Sequence, residues 1–115
     1  MLTVSLSKAL LCIASQCWPV LVGPSTPVGE YNLVQRRVLT SGYGGDVLQF
    51  HETDQYVFSI HRVWTQNPKE RREERLKSPD PKDRKGITNG CVNVDPALYN
   101  HLVKNYRNVK LTIVP

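Results

Sequence analysis

The sequence predicts a mainly β fold, a small sandwich or partly closed barrel of seven or eight strands with one helix near the C-terminus and a short helical lid. Three observations lead there. Both ends of the chain alternate apolar and polar residues: Leu2, Val4 and Leu6 around Thr3 and Ser5, and Val109, Leu111 and Ile113 around Lys110 and Thr112. Strand-sized runs rich in Val, Ile, Phe and Tyr fill the middle and are separated by Gly, Pro, Asn and Asp. Only the stretch from Ala97 to Tyr106 shows sustained helical spacing.

The opening strand turns at Ser7-Lys8 and pairs back through Ala9 to Ala14. Trp18 to Val22 reads as a short apolar strand that ends at the turn Gly23-Pro24-Ser25. Thr26-Pro27-Val28-Gly29 continues that turn and launches Glu30 to Leu39, with Tyr31, Leu33 and Val38 facing inward. Ser41 to Asp46 is a glycine-rich connection. No Lys-Ser/Thr follows it and it opens no helix, so it is not a phosphate cradle. Val47 to Phe50 and Tyr56 to Val63 are strands, with His51-Glu52-Thr53-Asp54 as the turn between them. Asn67-Pro68 caps a helix over Lys69 to Leu76, and Ser78-Pro79-Asp80-Pro81 stops it. Asp95-Pro96 opens the last helix, whose face of Leu98, Leu102 and Tyr106 packs down to support the strand carrying Cys91.

At 115 residues, with 40% apolar and 22% charged, the chain is expected to be one domain over residues 1–115. No apolar run approaches the roughly 20 residues that cross a bilayer. Met1 to Cys17 contains a short apolar stretch but makes a poor secretory leader, and its alternation reads better as the first hairpin. On that reading the chain carries no export signal, which points to a misplaced start or a bacteriophage origin. The net charge is +5. Residues 69–85 supply three of it, with Lys69, Arg71, Arg72, Arg75, Lys77, Lys82, Arg84 and Lys85 set against Glu70, Glu73, Glu74, Asp80 and Asp83. Three cysteines leave at least one free. Cys91 is expected to be that one and Cys12 to be core, while a Cys12–Cys17 bridge stays open for an oxidising compartment. Neither Cys-x-x-Cys nor His-x3-His occurs, so no metal is expected.

The chemistry centres on Ile87-Thr88-Asn89-Gly90-Cys91-Val92-Asn93-Val94. A thiolate needs only modest activation to attack a carbonyl. Gly90 lets a substrate backbone approach, and Thr88, Asn89 and Asn93 surround the sulfur with hydrogen-bonding groups. Otherwise Cys91 is a small buried hydrophobe in an Ile- and Val-rich strand. With Ser59-Ile60-His61-Arg62 upstream, the run resembles the His…Ser/Thr-x-Gly-Cys-x-Asn/Arg signature of L,D-transpeptidases of the YkuD type. Leu21-Val22-Gly23-Pro24-Ser25-Thr26-Pro27-Val28-Gly29-Glu30-Tyr31 is similar to that family's Gly…Thr-Pro-x-Gly-aromatic hairpin. The resemblance covers nearly the whole chain.

What it implies is a peptidoglycan enzyme of the periplasm or cell envelope, a monomer without cofactor, whose partners are stem peptides. Cys91 would be the nucleophile and His61 the base, its ring oriented by a backbone carbonyl. Gly90 and Asn89 would help the Cys91 N–H at the oxyanion, and Asn93 would brace the loop or touch the donor peptide. Arg71, Arg72 or Arg75 would grip stem carboxylates, where a guanidinium fork suits the geometry; Arg62 is a further candidate for substrate binding. The chain departs from the pattern at Asn89, where many members have histidine, at Arg62, where they have glycine, and in the long gap from His61 to Cys91. A proteobacterial branch shares the basic insertion and a Gly-Cys-Ile-Asn-Val run. Two alternatives stand: an L,D-carboxypeptidase, with water resolving the thioester, and an inactive binder of anionic polymer or nucleic acid. No aromatics interleave the basic residues and the acids dilute their field, which weighs against nucleic acid.

Overall fold

The computed structural model describes residues 2–115. Nine strands form two sheets among these residues: β1 Leu2–Ser5, β2 Leu10–Ile13, β3 Gln16–Pro19, β4 Gly29–Asn32, β5 Val34–Arg37, β6 Asp46–Glu52, β7 Val57–Arg62, β8 Val92–Val94 and β9 Lys110–Val114. One sheet runs β3-β2-β1-β9-β4 and the other β5-β6-β7-β8. The ends of the chain meet in the first sheet, where β1 and β9 pair in parallel and bury Leu2, Val4, Leu111 and Ile113. Those side chains share a core with Leu48, Phe50, Phe58, Ile60, Val92 and Val94 of the second sheet, and the mainly β two-sheet fold follows. Helix α2, Pro96–Tyr106, is capped by Asp95, which accepts from the Ala97 N–H at 3.0 Å. It buries Leu98, Tyr99 and Leu102 and packs on β7.

Several boundaries differ from the sequence reading for identifiable reasons. The strand expected over Trp18 to Val22 lies earlier, at β3, because Leu21 leaves the first sheet to exchange two backbone hydrogen bonds with Asn93 of β8. The single strand expected over Glu30 to Leu39 is two strands in different sheets, with buried Leu33 at the crossing, and this adds to the count. His51 and Glu52 belong to β6, which a register shift between Gln49 and His51 prolongs. The turn falls later, where the Thr53 hydroxyl accepts from the N–H groups of Gln55 and Tyr56. Cys12 is not core: it stands opposite Cys17 across β2 and β3, and the two form a disulfide.

The insertion between β7 and β8 also differs. Asn67 caps Pro68–Glu70, but that turn is 3-10, and Arg71 then adopts a left-handed backbone (φ 52°) before α1, Arg72–Leu76, begins. The break turns Leu76 down onto Leu21 and Val63 and leaves Arg71 in solvent. A second 3-10 turn, Pro81–Arg84, ends in Arg84, only 4% exposed and without a carboxylate partner. Its guanidinium donates instead to the carbonyls of Lys8, Ala9 and Ser78. Its own carbonyl accepts from the Val22 N–H, and Val22 in turn accepts from the Ile87 N–H. The insertion is thus fastened to the first hairpin just before the loop that carries Cys91.

Candidate active site

Cys91 and His61 line one cleft of about 340 Å³, together with Tyr43, Trp64, Asn67, Glu70, Arg72, Thr88 and Asn89. The parallel pairing of β7 with β8 brings them together, since it sets His61 opposite Asn93, two residues beyond Cys91. Four successive residues of β7, Phe58 to His61, are buried. Phe58 and Ile60 fill the core, while Ser59 and His61 lie on the opposite face.

The loop that carries Cys91 is tied to itself. The Thr88 hydroxyl donates to the Cys91 carbonyl at 2.7 Å and accepts from the Gly90 N–H at 3.1 Å. Gly90 has φ +125°, and a Cβ there would stand 2.4 Å from the Phe58 ring. Glycine is therefore required by the backbone and by Phe58, and its N–H is already engaged. Gly23 presses on the same loop, since a Cβ on it would fall 2.0 Å from the Thr88 carbonyl oxygen. The hairpin block around Gly23 and Thr26 and the cysteine block, far apart in sequence, meet here.

His61 has both ring nitrogens in use. Nδ1 lies 2.7 Å from the Arg62 carbonyl oxygen, an atom that can only accept, so Nδ1 carries the hydrogen. Nε2 faces the Asn93 amide nitrogen at 3.3 Å. Burial drives the His61 pKa down to about 4; the Arg62 carbonyl works against this, and the Arg72 charge adds to it. The imidazole is neutral at pH 7 and can accept a proton. The Cys91 thiol donates to the Val57 carbonyl at 3.7 Å. Burial raises its pKa, partly offset by the Ser59 backbone and the Arg72 charge.

Of the arginines, the structure brings only Arg72 into the cleft. Its Nε donates to Glu70 at 2.9 Å, its Nη1 donates to Asn93 Oδ1 at 3.0 Å, and its guanidinium lies 5.1 Å from the Trp64 ring centroid. Arg71 pairs with Glu74 in solvent, and Arg75 borders a separate cleft with Lys77, Ser78 and Asp83. Arg62 turns away from the cleft. It pairs with Asp46 at 3.0 Å, lies over the Tyr99 ring and donates to the carbonyls of Tyr43 and Gly44. Burial of Asp46 raises its pKa, yet hydrogen bonds from Tyr99, Arg62 and Gln35 outweigh this and hold it below the usual value. The network holds the loop whose Tyr43 meets the His61 ring edge-on at 4.7 Å between centroids.

Tyr43 and Trp64 escaped the sequence reading because each sits in a loop without a motif, and Glu70 because it was one acid among many in the charged insertion. The aromatic within Ser41 to Asp46 and the one just past β7 were the available signals. No group of three or more His, Cys, Asp or Glu among the described residues is placed to hold a metal ion. No helix among them is long and apolar enough to cross a membrane.

Compared by sequence, the chain matches no family model and no curated protein. Compared by structure, it is similar to L,D-transpeptidases. The LD transpeptidase LdtMt1, solved in complex with imipenem, superposes on 98% of this chain with a TM-score of 0.62 at 14% identity. An L,D-transpeptidase from Mycobacterium smegmatis superposes on 99% of it with a TM-score of 0.59 at 12% identity. The chain spans a little over half of those proteins, 57% and 58% of their lengths. At such identities the likeness is one of architecture: the chain has the two-sheet fold of L,D-transpeptidase domains.

Proposed function

We propose that the chain is a cysteine-dependent L,D-transpeptidase acting on peptidoglycan stem peptides. The observation that carries this reading is the shared cleft of Cys91 and His61, with the imidazole neutral and its Nδ1 held by a backbone carbonyl. The fold supports it independently. In the reaction, the Asn93 amide gives up its 3.3 Å contact with His61 Nε2, Nε2 takes the Cys91 thiol proton and the sulfur attacks the carbonyl of the third residue of a tetrapeptide stem. The C–N bond to the terminal D-alanine breaks, and the imidazolium returns the proton to the departing amine. A thioester remains. An amine of a second stem then attacks, its surplus proton passes to His61 and on to the sulfur, and a 3→3 amide cross-link forms as the thiol is regenerated.

The Cys91 N–H and the Asn89 side chain would hold the oxyanion, a contact worth on the order of 3 kcal/mol per donor. Gly90 serves by shaping the loop, Thr88 by closing it and Asn93 by contacting His61. Arg62 would support the carbonyl side of the histidine, and Arg72, which lines the cleft, would be nearer the donor peptide than Arg71 or Arg75. No cofactor enters. The Cys12–Cys17 bridge supports a site of action in an oxidising compartment such as the cell envelope.

The test is mass spectrometry of products after incubation with a disaccharide tetrapeptide, alongside Cys91→Ala. Loss of D-alanine with a cross-linked dimer, absent from the variant, is the expected result. Tripeptide alone would make the protein an L,D-carboxypeptidase. An untouched donor, with no adduct of imipenem on Cys91 and salt-dependent binding to anionic polymer retained in Cys91→Ala, would replace the enzyme by a binding protein.

A further inference from the structure

We propose that Asn89 is a self-modification site beside Cys91: the Asn89-Gly90 peptide deamidates through a succinimide, the Thr88 hydroxyl sets the rate, and the carboxylate produced lowers the reactivity of the thiol. The inference needs no donor peptide and stands whether or not the protein turns one over.

In the reaction the Gly90 nitrogen attacks the side-chain carbonyl carbon of Asn89. The bond from that carbon to the side-chain amide nitrogen breaks, and the nitrogen leaves as ammonia with the hydrogen that Gly90 gave up. Water then opens the ring at either carbonyl, which returns a hydrogen to the Gly90 nitrogen and leaves aspartate or isoaspartate. Water is the sole co-reactant. A glycine after the asparagine favours the attack, because no side chain stands beside the attacking nitrogen. Here that glycine cannot be exchanged, since Gly90 has φ +125° and a Cβ on it would collide with the Phe58 ring. Asn89 is exposed and lines the cleft, so water reaches the ring. The fold thus imposes the labile pair next to its free thiol.

The same loop restrains it. Gly90 is buried, and its N–H donates to Thr88 Oγ1 at 3.1 Å. That hydroxyl spends its own hydrogen on the Cys91 carbonyl at 2.7 Å, so a lone pair is left for Gly90. Thr88 is buried in its turn and backed by Gly23, on which a Cβ would collide with the Thr88 carbonyl. Attack requires the Gly90 nitrogen to give up its hydrogen bond and turn toward Asn89, so it proceeds from a locally opened loop. Glu70 and Arg72 are the charged groups of the cleft lining, with Tyr43 and His61 as further titratable neighbours. A carboxylate at position 89 adds a negative charge two residues from Cys91. It opposes the Arg72 cation and disfavours the thiolate.

The experiment ages the whole chain in neutral buffer and follows the peptide around residues 89–91 by mass spectrometry, which reads the exchange of NH2 for OH and separates the isoaspartate isomer. The folded wild type is expected to age about tenfold or more slowly than the same chain in urea, as one buried hydrogen bond would impose. Equal rates would overturn the proposal. Thr88→Val keeps the shape without the hydroxyl and should age several-fold faster than wild type, whereas Thr88→Ser should age as the wild type does. Val103→Ala, which loosens the core at α2 and leaves the Thr88 bonds in place, should also age as the wild type does. A wild-type rate in Thr88→Val, or the same acceleration in Val103→Ala, would overturn the role of Thr88. If Thr88→Val does not fold, hydrogen exchange at the Gly90 amide of the wild type decides: slow exchange is expected, and exchange at the rate of an open chain overturns the proposal. Fresh and aged samples are then alkylated with iodoacetamide. Aged protein and Asn89→Asp should both react several-fold more slowly at Cys91, and equal rates would overturn the effect on the thiol. Tetrapeptide turnover enters none of these readings, so failure of the enzyme reading leaves them standing.

Discussion

β7 and the insertion that follows it border the same cleft by different means. β7 holds His61 through ladder hydrogen bonds on two sides and through Phe58 and Ile60 in the core. The insertion delivers Arg72 through one ion pair, one aromatic face and one amide, with Leu76 and Arg84 as its fastenings. His61 is therefore fixed by the fold as a whole, and the guanidinium by a handful of side chains. Mutations should separate the two.

The largest effect belongs to the β7 side. His61→Gln removes the proton acceptor, and turnover of a tetrapeptide donor should fall about a hundredfold or more in a steady-state assay. Gly90→Ala should come next, since the new Cβ meets both a positive φ and the Phe58 ring; unfolding in urea should show a loss on the order of 3 kcal/mol. On the insertion side, Arg84→Met strands three carbonyls and should cost about 3 kcal/mol by the same measurement. Iodoacetamide reactivity of Cys91 should also change there, because the clamp leads into its loop.

Acidification tests the β7 side without mutation. His61 titrates near 4 when folded, against an ordinary value of 6.5. The unfolded chain thus takes up this proton first as the pH falls. The stability from keeping His61 neutral is complete above about pH 6.5 and is lost on the way down to pH 4, on the order of 3 kcal/mol in all. Urea midpoints compared at pH 7 and 4.5 should show most of it, and His61→Gln should flatten the difference. The smallest effect is Arg71→Ala: the exposed pair with Glu74 is worth under about 0.5 kcal/mol, and donor KM should not move. A several-fold rise in KM would return Arg71 to the substrate.

Fold class was readable because alternation at both chain ends and β-branched runs reflect burial directly, as Leu2, Val4, Leu111 and Ile113 show. The last helix was readable from its Asp95-Pro96 cap. The division of residues 30–39 between two sheets was not, because the crossing at Leu33 depends on which strands lie nearby. The turn at Arg71 was hidden for a related reason: nothing local asks an arginine to take φ 52°, and the reward lies in Leu76 and Arg72. Motif spacing picked out Cys91 and His61. It was silent on Asn93 facing His61 and on Arg62 serving Tyr43, since both arise from pairing across the sheet or through a loop.

Arg84 has one more consequence. Every acceptor it uses is a main-chain oxygen, at Lys8, Ala9 and Ser78, and every residue type provides one. The clamp therefore recognises the path of the first turn and not its letters. An insertion secured in this way is portable: a domain of the same fold whose first turn follows the same path can receive it without matching substitutions, and the turn is free to change its side chains without loosening the cover over the cleft.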